Sequence, residues 1–404
     1  MNKIGNISGK NILFLQGPMG DFFKQLDSLF QKRGAKTYKI GFNAGDWYFS
    51  NKDNYIPFRE KKEAWKAYIE KFLKRNKIDM IYLFGDCRYY QNQAITASLI
   101  LDIDIFVFEE GYVRPHYITM EKFGVNDFSR IIRDPNFYLQ QSNDETIATP
   151  LHAKQSKFKM VYSATLYYLL SNIFTMKYPH YKHHRDFSAR KEALFGIRGL
   201  LRKALYTITE KKYLMQIEGE LSKRYFFVPL QTYNDFQILQ HSQYGSIEKF
   251  IIEVLKSFAK HANKEDFLVF KHHPVDRGRR NHVLFIEEYA KKLHIANRIL
   301  VFHDVHLPSC LKNAKGTVTI NSTVGLSSLG HGIPTITLGN AIYDIEGLTC
   351  KDMNLKDFWK EPCPPNDTLY QKFTHYLIDT TQLNGSYYGI FPVEFEKDAM
   401  YTIF

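Results

Sequence analysis

Short apolar runs alternate with longer helix-forming segments through both halves of this 404-residue chain. Parallel strands joined by crossover helices produce this alternation, because each strand is buried on both faces. Strands are predicted at 11–15, 37–42, 80–84, 105–108, 225–228, 267–270, 299–302, 317–320 and 335–338. Helices are predicted near 22–32, 61–75, 93–101, 247–261, 285–293 and 322–329. The pattern predicts an α/β protein with two Rossmann-like domains that face a central cleft.

A basic helical segment is predicted between the two halves. Residues 151–213 hold thirteen Lys and Arg against three Asp and Glu, and therefore most of the net charge of +12. They are also rich in Tyr and Leu, which is typical of amphipathic helices on an anionic membrane surface. Arg198, Arg202 and Lys203 are the predicted membrane or acceptor contacts. A solvated helical excursion between domains is the open alternative.

The predicted domains are residues 1–150, the basic Tyr-rich helical segment 151–222, and residues 223–404 with C-terminal helices. No RNA-binding or DNA-binding signature accompanies the charge, so nucleic acid is not predicted as a partner. The longest uncharged stretch, 160–176, contains five Ser, Thr and Asn residues and is too polar to predict a membrane-spanning helix.

Two further features favour a cytoplasmic location. The first apolar run, Ile12–Leu15, is too short for the hydrophobic region of a signal peptide. The four cysteines have spacings that match neither a disulfide framework nor a CxxC metal site. All four are therefore predicted to be thiols in a reducing compartment.

Five predicted strands end in side chains that can do chemistry. Ligands of open parallel sheets bind beyond the carboxyl ends of the strands, so these residues are candidates for one site. They are Gln16-Gly17-Pro18, Gly85-Asp86, Glu109-Glu110-Gly111, Lys271-His272-His273-Pro274 and Asn321-Ser322-Thr323.

The acidic pair, Glu109 and Glu110, ends a strand, and Gly111 lets the chain turn away. A carboxyl group with a raised pKa in such a place can exchange a proton with a substrate hydroxyl. An acidic surface turn explains the same residues.

The basic run that begins at Lys271 concentrates donors for a phosphate or a carboxylate, and Pro274 fixes the turn that aims His273. A solvated basic turn is the alternative. Adjacent histidines rarely bind one ion, and no HxxxH or HExxH spacing occurs in this run, so no metal is predicted.

Asn321, Ser322 and Thr323 follow a strand and open a helix, where backbone amides can bind an anion. Helix capping alone explains them equally well. Asp235 lies in a short loop after a predicted strand. This position suits a nucleophile, a base or an ordinary turn residue. No Walker A or GxGxxG motif is present, so the sequence supports neither an NTPase nor a dinucleotide enzyme.

Four motifs in order resemble the capsule polysaccharide Kdo transferases of the KpsS/LipB type. They are FEEGYVRP with GVN downstream (108–126), VPLQ with a following Asp (228–235), KHHPVDRG (271–278) and INSTVGLSSL (320–329). The resemblance spans about residues 10–340 and implies a GT-B glycosyltransferase that uses CMP-β-Kdo. It further implies a lyso-phosphatidylglycerol acceptor at the cytoplasmic face of the inner membrane, no cofactor, and other capsule biosynthesis proteins as possible partners.

The resemblance also implies residue roles. Glu110 corresponds to the catalytic acid/base, His273 to the ligand of the CMP phosphate, and Asp235 to the nucleophile. Residues 1–150 would then form the acceptor side and residues 223–404 the CMP-sugar-binding domain. Lys271, Pro274, Asn321, Ser322 and Thr323 are the further donor-binding candidates. Gln16, Asp86, Glu109, Gly111 and Arg114 are additional cleft candidates without assigned roles.

Two rival functions stay open on the sequence. One is a transferase of the same architecture with another CMP or CDP donor, such as sialic acid or glycerol phosphate. The other is a membrane-associated capsule assembly or export component without catalytic activity.

Overall fold

A computed structural model describes residues 6–141, 150–181, 189–232 and 244–397. The chain forms two compact units. Unit 1 comprises Met1–Arg130, Glu145–Ala189 and His375–Phe404, and unit 2 comprises Ile131–Asp144 and Arg190–Thr374. These units differ from the predicted domains. The basic segment is divided between the two units at Ala189 and Arg190. The C-terminal residues belong to unit 1, because residues 382–384 pair with residues 117–119 of its sheet.

Unit 1 contains a seven-stranded sheet in the order β12-β6-β5-β4-β1-β2-β3. Strands β1 to β5 are parallel, β6 runs antiparallel to β5, and β12 runs antiparallel to β6. The strands are β1 (Asn11–Phe14), β2 (Lys36–Gly41), β3 (Tyr55–Pro57), β4 (Met80–Phe84), β5 (Asp104–Glu110), β6 (Tyr117–Lys122) and β12 (Gln382–Asn384). The parallel part has the 3-2-1-4-5 order of a Rossmann-like sheet.

Unit 2 contains a five-stranded parallel sheet in the order β11-β10-β7-β8-β9. Its strands are β7 (Tyr225–Pro229), β8 (Phe267–Lys271), β9 (Ile299–Phe302), β10 (Gly316–Thr319) and β11 (Thr335–Thr337). Counted from β7, the order is again 3-2-1-4-5. The unit 2 sheet and the five-stranded part β1–β5 of the unit 1 sheet are therefore parallel, as predicted for an α/β protein.

Both sheets are buried on their two faces, as the apolar runs predict. Successive strand residues alternate between faces. Ile12 and Phe14 accordingly join one hydrophobic cluster and Leu13 joins the other. In β7, Phe226 packs on one face and Phe227 on the opposite face.

Helices cover the faces of the sheets. In unit 1 they include α1 (Phe22–Lys32), α2 (Ala44–Tyr48), α3 (Trp65–Arg75), α4 (Tyr89–Ile100), α6 (Lys157–Ile173) and α15 (Val393–Lys397). Unit 2 includes α5 (Pro135–Leu139), α8 (Lys211–Glu218), α9 (Ile247–His261), α10 (Val283–Lys292), α11 (Leu307–Lys312), α12 (Thr323–Leu329) and α13 (Leu355–Phe358). Helices α7 (Ala189–Thr209) and α14 (Asp367–Thr380) include the points at which the chain passes from one unit to the other. The basic segment is helical in α6, α7 and α8, which confirms that prediction.

The sequence analysis missed β3, β6 and β12. Strands β3 and β12 have only three residues each, too few for a visible alternation. Five consecutive residues of β6, from Tyr117, are buried, including the polar Thr119 and Glu121, so its polar positions do not mark a solvent-exposed face.

The cysteines depart from the prediction. Cys350 and Cys363 form a disulfide, whereas Cys87 and Cys310 are free thiols. The prediction of four thiols was therefore wrong for one pair. Within the described ranges, no helix is both long and apolar enough to cross a membrane.

Candidate functional site

The first switch point, where the strand order reverses between β1 and β4, is filled by a buried polar network. The amide Nε2 of Gln16, just after β1, donates to Asp46 Oδ2 and Tyr167 Oη, each at 3.0 Å. The Tyr167 hydroxyl donates to Asp46 Oδ1 at 2.9 Å. Burial raises the pKa of Asp46, and the nearby Lys39 ammonium opposes this effect. Gln16 therefore joins α6 to the sheet and is not presented to a ligand.

Asp86, after β4, also serves the local structure. Its Oδ2 accepts from the backbone N–H of Val125 at 2.9 Å, and its Oδ1 accepts from Cys87 Sγ at 3.0 Å. The side chain is buried, so it fixes the chain around residue 125.

Gly111 and Arg114 shape the hairpin between β5 and β6. A Cβ on Gly111 would lie 2.0 Å from the Tyr117 carbonyl oxygen, so only glycine allows this close approach. Arg114 is exposed, and its Nε donates to the Gly111 carbonyl at 3.1 Å.

The two carboxylates at the end of β5 have different environments. Neighbouring strand residues point to opposite faces of the sheet. Glu109 Oε1 accepts from the backbone N–H of Glu110 at 2.9 Å. Burial raises the pKa of Glu109 to about 7, and the nearby carboxylates of Glu110 and Asp86 add to the rise. Glu110 Oε2 accepts from Gln155 Nε2 at 3.4 Å. The pair thus holds one carboxyl group that exchanges its proton near neutral pH.

Residues from the chain's end complete the surroundings of this pair, and the sequence analysis missed them. The Tyr387 hydroxyl donates to the Glu109 carbonyl at 2.7 Å. Burial raises the pKa of both Tyr387 and Tyr388, and the Glu110 carboxylate adds to each rise. Both phenols therefore remain neutral donors at physiological pH. The available signal was the tyrosine pair between Gly385 and Gly389, which had been assigned to the other domain.

In unit 2 the strand order reverses between β7 and β10, and polar side chains follow both strands. Gln231 Nε2 donates to Asn321 Oδ1 at 3.1 Å across the reversal. Ser322 Oγ accepts from the backbone N–H of Val324 at 3.2 Å, so the prediction of an N-cap is confirmed. Asn321, Ser322 and Thr323 are partly exposed at this edge, where open α/β sheets bind ligands.

The basic run after β8 divides into internal and surface residues. Lys271 is buried, and its Nζ donates to the His303 carbonyl at 2.6 Å. His272 is buried as well, and its Nε2 accepts from the backbone N–H of His282 at 2.9 Å. Burial lowers the pKa of His272 to about 3, and the neighbouring histidines add to the decrease. The prediction of Lys271 as a donor-binding residue is corrected, because its buried ammonium bonds to the backbone.

His273 is partly exposed and begins the turn Pro274–Gly278. Its Nδ1 accepts from the backbone N–H of Val275 at 3.2 Å, which fixes the ring and leaves Nε2 as the nitrogen that can donate. Pro274 is exposed beside it. Asp235 lies within residues 233–243, outside the described residues.

Helix α7 is fixed to the turn that follows His273. A Cβ on Gly278 would lie 2.0 Å from the Phe195 carbonyl oxygen, so the two backbones touch. Arg202 Nη1 donates to the Arg277 carbonyl at 2.9 Å. The inward position of Arg202 corrects its prediction as a membrane contact, while Arg198 and Lys203 are exposed.

The end of α7 also supports the segment after β9. Glu210 accepts from the backbone N–H groups of His303 and Asp304 at 2.9 and 2.7 Å. The Tyr206 ring stacks on His303 with a centroid distance of 4.2 Å, and His303 stacks on His272 at 4.1 Å. The stack links α7 to the buried part of the basic run. Among the described residues, no group of three or more His, Cys, Asp and Glu side chains is placed to hold a metal ion.

Comparison with known proteins gives one family. A model of the family described as capsule polysaccharide biosynthesis protein matches residues 79–388. The chain is 38% identical to the capsule polysaccharide export protein KpsS of Escherichia coli, over 95% of this chain and 98% of that protein. It is 36% identical to the capsule polysaccharide modification protein LipB of Neisseria meningitidis serogroup A, over 98% and 97% of the two chains. The β-Kdo 2,7-transferase structure of Thermosulfurimonas dismutans KpsC aligns with a TM-score of 0.41 at 12% identity, over 90% and 89% of the chains.

Proposed function

Because this chain belongs to the capsule polysaccharide biosynthesis protein family, we propose that it is a GT-B glycosyltransferase that moves Kdo from CMP-β-Kdo to a (lyso)phosphatidylglycerol acceptor with retention of configuration. The donor is inferred from the four motifs that resemble the KpsS/LipB transferases. One structural observation carries the enzymatic part of the proposal. The carboxyl end of β5 holds two carboxylates in different environments, and the pKa of Glu109 is raised to about 7. Such a pair is suited to proton transfer at neutral pH.

The proposed reaction has two displacements at the anomeric carbon of Kdo. The Asp235 carboxylate attacks that carbon, and the bond to the CMP phosphate oxygen breaks with its electron pair on CMP. The acceptor hydroxyl oxygen then attacks the same carbon, gives its proton to Glu110, and releases the Asp235 carboxylate. Two inversions give net retention. The products are the Kdo glycoside, CMP and one proton that Glu110 returns to water.

Unit 2 would bind the donor phosphate in this scheme. His273 is partly exposed and fixed by its own turn, and Ser322 and Thr323 lie at the edge where the strand order reverses. Hydrogen bonds from neutral and cationic donors stabilise the charge that develops on a leaving phosphate. Lys271 and His272 would act indirectly, by holding this edge. The proposed chemistry uses no metal ion and no cofactor.

The proposed place of the reaction is the cytoplasmic face of the inner membrane, with the protein bound peripherally. The product would begin the poly-Kdo linker of a capsular polysaccharide, and other capsule biosynthesis proteins would be the partners. All of the proposed reactants are anionic, and the net charge of +12 would concentrate them.

Mass spectrometry of a lyso-phosphatidylglycerol acceptor after incubation with CMP-Kdo tests the proposal. Wild-type protein should add the mass of one or more Kdo residues, and Asp235→Ala and Glu110→Gln should add none. Glu60→Gln, an exposed carboxylate at another site, is the matched control and should retain activity. Parallel reactions with CMP-sialic acid and CDP-glycerol test the rival donors, and turnover of either in place of CMP-Kdo would exclude the Kdo assignment.

A non-catalytic role is the second candidate, because the E. coli relative is named an export protein. Complementation of a capsule-deficient strain separates the two. If Glu110→Gln and His273→Ala restore capsule as well as wild type, the transferase proposal is wrong.

A further inference from the structure

Helix α7 has two apolar faces, and only one of them packs against other described residues of unit 2. The inner face carries Phe195, Gly199 and Tyr206, which contact the turn after His273 and the segment after β9. The opposite face carries a row of six large aliphatic side chains with exposed fractions between 55 and 73%. This outer row consists of Leu194, Ile197, Leu200, Leu201, Leu205 and Ile208.

The spacing of the outer row is that of one helix face. Leu194, Ile197, Leu201, Leu205 and Ile208 follow one another at intervals of three or four residues, and Leu200 widens the row. Single exposed aliphatic residues are common on protein surfaces, but a continuous row over four turns indicates a surface that meets an apolar partner.

The charges around the outer row are arranged by sign. Arg198 and Lys203 in α7, and Lys211 and Lys212 at the start of α8, are exposed. The one acidic residue of α7, Glu192, pairs with Arg279 on the inner face. Glu210, just after α7, is buried against His303 and Asp304. Both acids thus bond to internal partners, while these four cations are exposed.

We propose that α7 lies in the interface of an anionic lipid bilayer, with the outer row between the lipid headgroups and acyl chains. An apolar row flanked by cations is complementary to such an interface in both polarity and charge. A second copy of this chain fits less well, because two copies would bring the same cations together. The inference rests on the proposed function only for the source of the bilayer, and it extends that function by assigning the membrane contact to one face of one helix.

The contacts of the inner face connect this interface to the candidate donor site. The backbones of Gly278 and Phe195 touch, and Arg202 bonds to the Arg277 carbonyl, so α7 and the turn after His273 form one connected structure. A bilayer that holds α7 therefore holds this turn at a fixed distance from the lipid surface. This placement suits an acceptor whose reactive hydroxyl lies at the headgroup level.

Vesicle flotation without donor or acceptor tests the inference. The probes are vesicles of phosphatidylcholine with 30% phosphatidylglycerol and vesicles of phosphatidylcholine alone. Full-length wild-type protein should float with the anionic vesicles and lose most of this binding at high salt. Arg198→Gln with Lys203→Gln should lower the partition coefficient about fivefold per charge. Leu201→Gln with Leu205→Gln should lower it at least tenfold.

Matched controls separate the outer row from general changes in polarity or charge. Ile100→Gln with Leu284→Gln alters two equally exposed aliphatic residues on α4 and α10. Lys66→Gln with Lys71→Gln removes two exposed cations from α3. Both control pairs should bind anionic vesicles as wild type does, and circular dichroism should show the same helical content in all variants.

Two results would overturn the inference. One is equal vesicle binding by the outer-row variants and their controls. The other is a wild-type dimer in sedimentation that Leu201→Gln with Leu205→Gln dissociates, without vesicle binding by either protein. Because flotation contains no donor, loss of vesicle binding and loss of Kdo transfer are separate results, so failure of the proposed function leaves this test intact.

Discussion

The motifs at the ends of β5 and β8 differ in how far their side chains are buried. At the end of β5, both carboxylates are partly exposed, and among the described residues their side chains accept one hydrogen bond from the adjacent backbone and one of 3.4 Å from Gln155. At the end of β8, Lys271 and His272 are buried and make internal hydrogen bonds, which leaves His273 at the surface. Adjacent residues of one motif can therefore be buried and surface-exposed, a division that the motif alone does not show.

Glu110→Gln tests the β5 side of this comparison and should have the largest effect. The amide cannot accept the acceptor's proton, so we expect transfer to fall about 10²-fold to 10⁴-fold. The melting temperature should stay within a few degrees of wild type, because the Glu110 side chain has few partners in the described structure. Initial rates of CMP release, compared with Glu60→Gln, measure the change. A large fall in melting temperature would instead give Glu110 a structural task.

His272→Ala tests the β8 side. The substitution removes a ring stacked on His303 and an acceptor for the buried N–H of His282. A buried N–H without a partner and a lost ring should together destabilise the fold by about 3 kcal/mol. Urea unfolding measures this loss. His273→Ala is the matched variant and should weaken CMP binding while losing clearly less stability than His272→Ala, because its side chain is partly exposed and accepts a local hydrogen bond from the Val275 N–H. Equal stability of the two variants would contradict the division within the motif.

The pH dependence of the free energy of unfolding in Glu109→Gln tests the environment of the β5 carboxylates. The folded pKa of Glu109 is raised to about 7 by burial, above the ordinary value of 4.5, so folding takes up a proton between these two pH values. The wild-type free energy of unfolding should therefore decrease as the pH rises from about 4.5 to about 7. Glutamine does not titrate, so the variant should gain on the order of 2 kcal/mol over wild type at pH 8 and nothing at pH 4.

Urea unfolding at several pH values checks this expectation. Burial also raises the pKa of Glu121 to about 7, so part of the wild-type slope should persist in Glu109→Gln. A slope identical to that of wild type would mean that the Glu109 carboxyl ionises normally in the folded protein.

The strands that bury both faces were predictable because their apolar runs are continuous, as in 80–84 and 225–228. The strand ends followed from the same pattern, so Glu110, His273 and Ser322 could be selected from the sequence. The contacts that these residues make could not be predicted from the sequence. Tyr387 lies 278 positions from Glu109, and neither residue's local sequence signals the hydrogen bond between them. Arg202 and Arg198 belong to the same basic helix, and only packing shows that one points inward.

Ser322→Ala tests whether the residue after β10 contacts a ligand, as proposed for the end of β5, or only supports the local structure, as Lys271 and His272 do after β8. Its effect should be the smallest. Ser322 Oγ accepts from the Val324 N–H, and its own hydroxyl hydrogen can still donate to a ligand. Loss of the cap should cost about 1 kcal/mol of stability, and Ser322→Asn should restore most of it. CMP binding should weaken several-fold in the Ala variant, as isothermal titration with CMP would show. If Asn restores stability but not CMP binding, the hydroxyl contacts the phosphate. If Asn restores both, the cap alone explains Ser322, and the end of β10 is structural like Lys271 and His272.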